Sequence, residues 1–408
     1  MPAFIIYMAG AAGIGLFKVL LVAGILPKEM FGNYVAIASG AMLLTMVMSA
    51  GLIEGTIKRF PRLWSENKAD QIVTDVFSIL SKVVLRTTVI SAIAAIGMLL
   101  SGRIDLLIVI LPGVFLGGAG LVIRLLSSAQ LAIGSLNLLI TFSMFRALVT
   151  FLFVVIGAWA FGFFGAVFGE VAAVIAVITQ AWMGLKRYLV WKNSASKLSP
   201  SDRPDYRLYI GSVMTSGTML ADRPLVNLLS GSALAGSYGF AMITAQISQM
   251  LINIISQKLG PAFIKAKQDK GNEGYVLNVL GKVTILSILF ALLITIFGLI
   301  LFQIPYFGPI FEKYSMSKMS IILIGLICAL YIFVLFEYVL IAADSEAAVM
   351  YASILAMTAF LLCFSIARYY GGSLELYLIA SLLTRAFQTI LLGAEILKPG
   401  WYRVVFTE

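Results

Sequence analysis

The sequence has no histidine, only two cysteines and few charged side chains, and each shortage argues against a class of protein. Without histidine, the chain lacks the usual general base of enzymes and the commonest metal ligand. The cysteines, Cys328 and Cys363, lie in apolar segments without metal-ligand spacing, so packing explains both. Charged residues make up 12% of the chain, whereas about a quarter is typical of soluble domains. We therefore predict no catalytic residue, no metal site and no cofactor.

Hydrophobic residues, in contrast, make up 61% of the chain and occur in long runs. Runs of roughly 18 to 25 apolar residues are long enough to cross the ~30 Å hydrocarbon core of a bilayer as helices. The short alternating strands of a membrane barrel are absent from the sequence. We therefore predict an all-α polytopic membrane protein with twelve transmembrane helices. They are expected at about 3–26, 34–53, 78–100, 105–127, 138–159, 163–184, 208–230, 233–257, 277–303, 319–343, 348–369 and 374–396.

The helices fall into two sets of six, which the most polar segment of the chain separates. This segment, 186–207, predicts a linker between an N-terminal lobe (1–185) and a C-terminal lobe (208–397), with a tail at 398–408. Related motifs, Phe31-Gly32-Asn33-Tyr34 and Ala235-Gly236-Ser237-Tyr238, begin 204 residues apart in a chain of 408. Six helices give both halves the same orientation in the membrane. Parallel repeats of this kind mark several transporter folds, with the substrate site between the lobes.

The basic residues of the predicted loops are distributed unequally between the two sides of the membrane. One side carries sixteen lysines and arginines, including those of the linker and tail, and the other side carries five. An excess of basic residues marks the cytoplasmic side, so both termini and the linker are predicted to be cytoplasmic. Basic loops also account for the net charge of +10 without nucleic acid. The expected location is the bacterial inner membrane.

Ionisable residues inside the predicted helices need an explanation, since each costs ~2.5–3.5 kcal/mol on insertion scales. The N-terminal lobe has five such cations and one acid, Glu170; the cations are Lys18, Lys82, Arg86, Arg124 and Arg146. The C-terminal lobe has both signs in similar numbers: Asp222, Arg223, Lys282, Glu337, Arg385 and Glu395. The excess of cations in one lobe indicates an anionic ligand there.

Helix rise places Arg86, Arg124 and Arg146 in the cytoplasmic third of the N-terminal lobe. Lys82 lies one turn from Arg86 on the same helix face. Lys82 and Lys282 both lie near helix ends, close enough for their side chains to extend to the headgroups. Phosphate or pyrophosphate suits the planar fork of donors on arginine. We therefore name a set of candidate substrate-binding residues: Arg86, Arg124, Arg146, Lys18, Arg223, Arg385 and Lys82.

The buried acids Glu170, Asp222 and Glu337 have two interpretations. They are candidates for ion coupling, because a buried carboxyl can carry a proton across part of the membrane. Alternatively, they form ion pairs that fix the packing of neighbouring helices. Asp222-Arg223-Pro224 combines an acid, a cation and a helix breaker, and Pro224 is expected to bend its helix.

Two segments resemble a known family. Ile25-Leu26-Pro27-Lys28-Glu29-Met30-Phe31-Gly32-Asn33-Tyr34, followed by Ser49-Ala50-Gly51-Leu52, resembles the opening of Wzx-type O-antigen and polysaccharide flippases. Asp222-Arg223 followed by Ala235-Gly236-Ser237-Tyr238 resembles the start of that family's second half. These flippases belong to the multidrug/oligosaccharidyl-lipid/polysaccharide (MATE-like) exporter superfamily.

The resemblance implies two six-helix lobes in a V with pseudo-two-fold symmetry, rocking between inward-open and outward-open states. It implies a flippase, not an enzyme, that moves an undecaprenyl-pyrophosphate-linked O-antigen-type repeat unit to the periplasmic leaflet for lipopolysaccharide biosynthesis. The implied partners are this lipid-linked oligosaccharide, membrane lipids and other polysaccharide-assembly proteins. A proton or sodium gradient is a possible driving force, and a cationic cavity is expected.

Three alternatives remain open from the sequence. A multidrug exporter of the same fold would need acids for its cationic drugs, whereas the first helix carries Lys18 and no acid. A lipid II flippase also moves a polyprenyl pyrophosphate, but that family usually has more than twelve helices. A membrane enzyme of polysaccharide synthesis would be expected to show a long periplasmic loop, or a histidine if it were a histidine-dependent acyltransferase.

Overall fold

The computed structural model describes residues 2–49, 51–52, 56, 59–60, 63–64, 66, 68–100, 107–132, 136–186, 206–268, 273–305, 308–343 and 345–397. All regular structure in these ranges is helical, and the described parts of the twelve predicted segments lie almost entirely in helices, two of them in one long helix with a kink. The predicted linker, apart from its ends, and the predicted tail lie outside the described residues.

The chain divides into two compact units, which are considered separately. The first unit comprises Met1–Pro27 and Tyr34–Tyr209, and the second comprises Lys28–Asn33 and Ile210–Glu408. The first contains α1 (Pro2–Ile25), most of α2 (Lys28–Ser49), α3 (Ala69–Leu100), α4 (Leu107–Ala132) and α5 (Leu136–Lys186). The second contains α6 (Tyr206–Leu220), α7 (Asp222–Ser230), α8 (Ser232–Gln268), α9 (Glu273–Gln303), α10 (Gly308–Lys313), α11 (Lys318–Leu330), α12 (Phe333–Ala342), α13 (Glu346–Tyr369) and α14 (Leu374–Ile396).

Nine helical stretches among the described residues are long and apolar enough to cross a membrane. One of them, Ile140–Leu185, has 46 residues and covers two predicted helices, which meet at Gly162. Gly162 has φ +62°, a conformation that glycine adopts without strain, and it lets the chain turn back there. The protein is therefore a multi-pass helical membrane protein, as predicted.

Two predicted helices of the second unit are broken, and the breaks concern its charged residues. The segment 208–230 divides at Ala221 into α6 and α7, and the segment 319–343 divides at Tyr331 and Ile332 into α11 and α12. The first break lies next to Pro224, which has no N–H to donate to the preceding turn. Asp222 thereby becomes the first residue of α7, where free N–H groups favour a carboxylate.

The glycines of the two related motifs meet in the second unit. A Cβ added at Gly32 would lie 1.9 Å from the carbonyl oxygen of Ser232, and one added at Gly236 would lie 2.2 Å from that of Lys28. The first turn of α2 therefore crosses the first turn of α8 with backbone against backbone. Only glycine allows this approach, which explains why both motifs carry it at the same position.

Candidate functional site

Arg86 of α3 contacts the C-terminal end of α2 in the first unit. Its Nη1 donates to the carbonyl oxygen of Met48 at 2.7 Å and to that of Ser49 at 3.3 Å. These carbonyls belong to the last turn of α2 and have no partner within the helix. The guanidinium also faces the negative end of the helix dipole. Arg86 therefore caps α2, in addition to any role with a ligand.

Arg124 of α4 approaches the same turn of α2. Its Nη1 lies 2.7 Å from the sulfur of Met46, two residues before Met48, and its side chain is exposed. Arg86 and Arg124 thus come from two helices to one place, as their predicted depths suggested. We call these two residues the α2-end pair.

Lys82 lies near an acid that the sequence did not single out. Asp75 of α3 is 2% exposed, its Oδ2 lies 2.7 Å from Nε of Arg59, and it interacts electrostatically with Lys82. The helix was predicted to begin at 78, whereas α3 begins at Ala69 and includes Asp75. The first turns of α3 include several polar residues and do not belong to an apolar run, so the length of the apolar run did not predict this extension.

Glu170 is the centre of a second cluster in the first unit. Its Oε1 accepts hydrogen bonds from Nζ of Lys18 at 2.5 Å and from the hydroxyl of Tyr34 at 2.7 Å. Arg146 interacts electrostatically with the same carboxylate, and its side chain is exposed. We call Lys18, Tyr34, Arg146 and Glu170 the Glu170 cluster. Glu170 is the one acid predicted inside the helices of this lobe, and it lies within electrostatic range of Arg146.

The two clusters lie apart along α2. Tyr34 belongs to the Glu170 cluster and Met48 contacts the α2-end pair, and these residues are fourteen positions apart, about 21 Å at the helical rise. Of the three arginines predicted to share a layer, Arg86 and Arg124 are therefore brought together, while Arg146 belongs with Lys18 and Glu170.

The second unit contains a buried ion pair between Asp222 and Arg385. From the sequence, pairing with a cation is one of two interpretations of Asp222. Asp222 and Arg385 are 0% and 1% exposed, and Nη2 of Arg385 lies 3.7 Å from Oδ2 of Asp222. Tyr238 donates to the same oxygen at 3.0 Å, and the backbone N–H of Arg223 donates to Oδ1 at 2.8 Å. Both carboxylate oxygens are thus engaged by protein groups.

The guanidinium groups of Arg385 and Arg223 form hydrogen bonds with residues of the second unit. Arg385 donates to the hydroxyl of Tyr331 at 3.3 Å and to the hydroxyl and carbonyl of Ser381, and it lies 5.2 Å from the centre of the Tyr331 ring. Arg223 is 4% exposed, and Gln246, in the amide orientation that satisfies both groups, accepts from both its Nη atoms at 3.0 Å. These two predicted substrate-binding residues are therefore occupied by protein partners.

Glu337 has a different environment. Its Oε1 accepts from the hydroxyl of Thr215 at 2.6 Å and from the amide of Gln388 at 3.1 Å, and Thr215 also contacts the hydroxyl of Ser353 at 2.9 Å. Within the part of the chain that the structure describes, no lysine or arginine forms a salt bridge with Glu337. The amide oxygen of Gln388 is buried there without a hydrogen-bond partner.

An apolar groove of about 330 Å³ lies among α3, α4 and α5 of the first unit. Its lining contains no charged residue; it consists of Val76, Phe77, Leu80, Val122, Leu125, Leu126, Ile178 and Trp182. Apolar cavities of this kind take apolar ligands rather than water. The groove is therefore suited to hydrocarbon and is not the place where an anion would bind.

Comparison with known proteins gives similarity in structure only. No family model matches the chain, and no curated protein matches it in sequence. A mutant of the Vibrio cholerae MATE transporter VcmN has a TM-score of 0.68 and 15% identity, with 100% of this chain and 98% of that chain covered. Lipid II flippase MurJ in an inward closed conformation has a TM-score of 0.69 and 11% identity, with 98% and 88% covered.

A third similar structure is a MOP superfamily transporter from Pyrococcus furiosus, with a TM-score of 0.55 and 13% identity over 97% of this chain and 96% of that one. It is described as having a binding pocket of reversed polarity that suggests a different function. Together with the helical spans, these similarities define the fold of the chain. It is the all-α fold of MATE-like membrane transporters, as predicted from the sequence.

Proposed function

We propose that the protein is a flippase that moves an anionic lipid-linked precursor from one leaflet to the other by alternating access. The observation that carries this proposal is the excess of cations on the apolar helices of the first unit. Lys18, Arg86, Arg124 and Arg146 lie in two clusters, whereas Glu170 is the acid among them. A diphosphate would neutralise such an excess and gain charge-assisted hydrogen bonds. A cationic drug would meet like charges, which argues against a multidrug exporter.

The finer proposal is that the substrate is an undecaprenyl-pyrophosphate-linked oligosaccharide of the O-antigen type. The resemblance of the two motif segments to Wzx-type flippases supports it. The structural similarity to a lipid II flippase supports the same headgroup chemistry, so lipid II is the second candidate substrate. In this proposal the protein works in the bacterial inner membrane, with both termini in the cytoplasm, beside other polysaccharide-assembly proteins.

The test is leaflet accessibility in proteoliposomes. A fluorescent undecaprenyl-pyrophosphate oligosaccharide should become accessible to an impermeant quencher faster with the protein than in empty liposomes. The same assay with lipid II and with a cationic dye separates the alternatives. Faster transport of the dye, with neither lipid moved, would favour the multidrug exporter. No change in any of the three would contradict transport of these classes altogether.

We further propose that Glu337 is the ion-coupling group. Glu170 and Asp222 are paired with cations, whereas Glu337 is bonded to a hydroxyl and an amide, so a proton or a sodium ion could neutralise it at lower cost. Glu337→Gln should fold normally but lose the dependence of flipping on an imposed ion gradient. The control is Glu346→Gln, at the start of α13. A gradient response unchanged in Glu337→Gln would remove Glu337 from this role.

A further inference from the structure

We propose that Glu170 is a built-in counter-anion: it occupies an anion-binding site formed by Lys18 and Arg146, and the phosphate of the substrate displaces it. This inference deepens the proposed function and rests on it, since it assumes that an anionic headgroup enters the first unit.

The charges of the Glu170 cluster do not balance. Lys18 forms a salt bridge with Glu170, and Arg146 lies within electrostatic range of the same carboxylate, so two cations face one acid. The cluster therefore keeps a formal positive charge in a region where charges are costly. A pyrophosphate carries more negative charge than a carboxylate and has more acceptor oxygens, so it matches an ammonium and a guanidinium better. Glu170 alone satisfies these cations only in part.

The cluster is also accessible, which distinguishes it from the ion pair of the second unit. Lys18 and Glu170 are each 14% exposed, and Arg146 is exposed. In contrast, Asp222 and Arg385 are 0% and 1% exposed, and serine and tyrosine groups fill the remaining positions around them. An anion can reach the first cluster without opening the protein core, whereas it cannot reach the second.

Tyr34 gives the displaced carboxylate a partner. Its hydroxyl donates to Oε1 of Glu170 at 2.7 Å. When an anion takes Lys18 and Arg146, Glu170 can keep this hydrogen bond instead of becoming a buried acceptor without a donor. The exchange therefore costs less than breaking an isolated ion pair. The hydrogen bond to Tyr34 keeps Glu170 near Lys18 and Arg146. Glu170 can therefore pair with these cations again when the headgroup leaves.

The test measures binding of inorganic pyrophosphate to the purified full-length protein in detergent by isothermal titration calorimetry. Glu170→Gln removes the competing charge and should tighten binding about tenfold, which corresponds to the loss of ~1.4 kcal/mol of competition. Glu170→Asp keeps the charge but shortens the side chain, so it should tighten binding less and protects the test against misfolding of the glutamine variant. Adding Lys18→Gln to Glu170→Gln should remove the gain.

The matched control is Glu66→Gln. Glu66 also pairs with a lysine of the first unit, Lys68, at 2.7 Å, but the side chains of Glu66 and Lys68 are 34% and 49% exposed. This variant should leave pyrophosphate affinity unchanged. Unchanged or weaker binding in folded Glu170→Gln and Glu170→Asp would overturn the counter-anion role. If binding tightens as expected but no lipid-linked pyrophosphate is flipped in proteoliposomes, the inference stands as an anion site and the proposed function fails.

Discussion

Arg385→Met should lower the free energy of unfolding by about 3–5 kcal/mol, the range seen when one partner of a buried ion pair is removed. Methionine fills much of the space, but Asp222 then remains buried at 0% exposure without its cation. The hydroxyls of Tyr331 and Ser381 lose their partner as well. The effect is measured as a drop in unfolding temperature of the detergent-solubilised protein.

The double variant Arg385→Met/Asp222→Asn should recover part of this loss, because no charge is then left buried. Lys282→Met removes an exposed cation from α9 of the same unit and should change stability by less than about 0.5 kcal/mol. The competing interpretation makes Asp222 a proton carrier. In that case Asp222→Asn would keep the stability of the wild type and lose the gradient dependence of flipping, which would contradict the ion-pair role.

The membrane explains why so much of the fold is predictable from the sequence. A bilayer requires about twenty apolar residues per helix and internal hydrogen bonds for every backbone group. Long apolar runs are thus sufficient to locate the helical segments, and nine described stretches are long and apolar enough to cross a membrane. The same criterion fails where polar residues extend a helix, so it missed the start of α3 at Ala69 and with it Asp75. It also missed the break at Tyr331 and Ile332, where no proline or glycine marks it.

The partners of the charged residues were less predictable than the helices. The depth of a residue along its helix follows from counting residues. Counting predicted a shared depth for Arg86 and Arg124, and both contact the same end of α2 in the structure. Tertiary packing, in contrast, decides which side chains of distant helices face each other. The sequence therefore offered pairing for both Glu170 and Asp222 but could not assign Lys18 to the first and Arg385 to the second. It also gave no sign that Tyr34 and Tyr238 donate to these acids.

Arg124→Glu should abolish flipping of the lipid-linked oligosaccharide while leaving the stability of the protein close to that of the wild type. Arg124 is exposed, so its replacement disturbs little of the packed interior, and the sulfur of Met46 that its Nη1 contacts is a weak acceptor. A negative charge there would repel the pyrophosphate, since two like charges about 4 Å apart oppose each other by about 1 kcal/mol in water and about 4 kcal/mol near a protein surface. Arg124→Ala should slow flipping about tenfold, equivalent to one charge-assisted hydrogen bond of ~1.5 kcal/mol, and Arg124→Lys should recover part of the rate.

Arg86 gives the comparison that separates binding from packing. Because it caps the last carbonyls of α2, Arg86→Ala should lower the unfolding temperature as well as the flipping rate, and Arg86→Lys should recover stability more fully than transport. Flipping rates in proteoliposomes and unfolding temperatures are measured on the same preparations. Full flipping in Arg124→Ala and Arg124→Glu would show that the α2-end pair only stabilises the helix, and the substrate's phosphate would then have to bind elsewhere in the first unit.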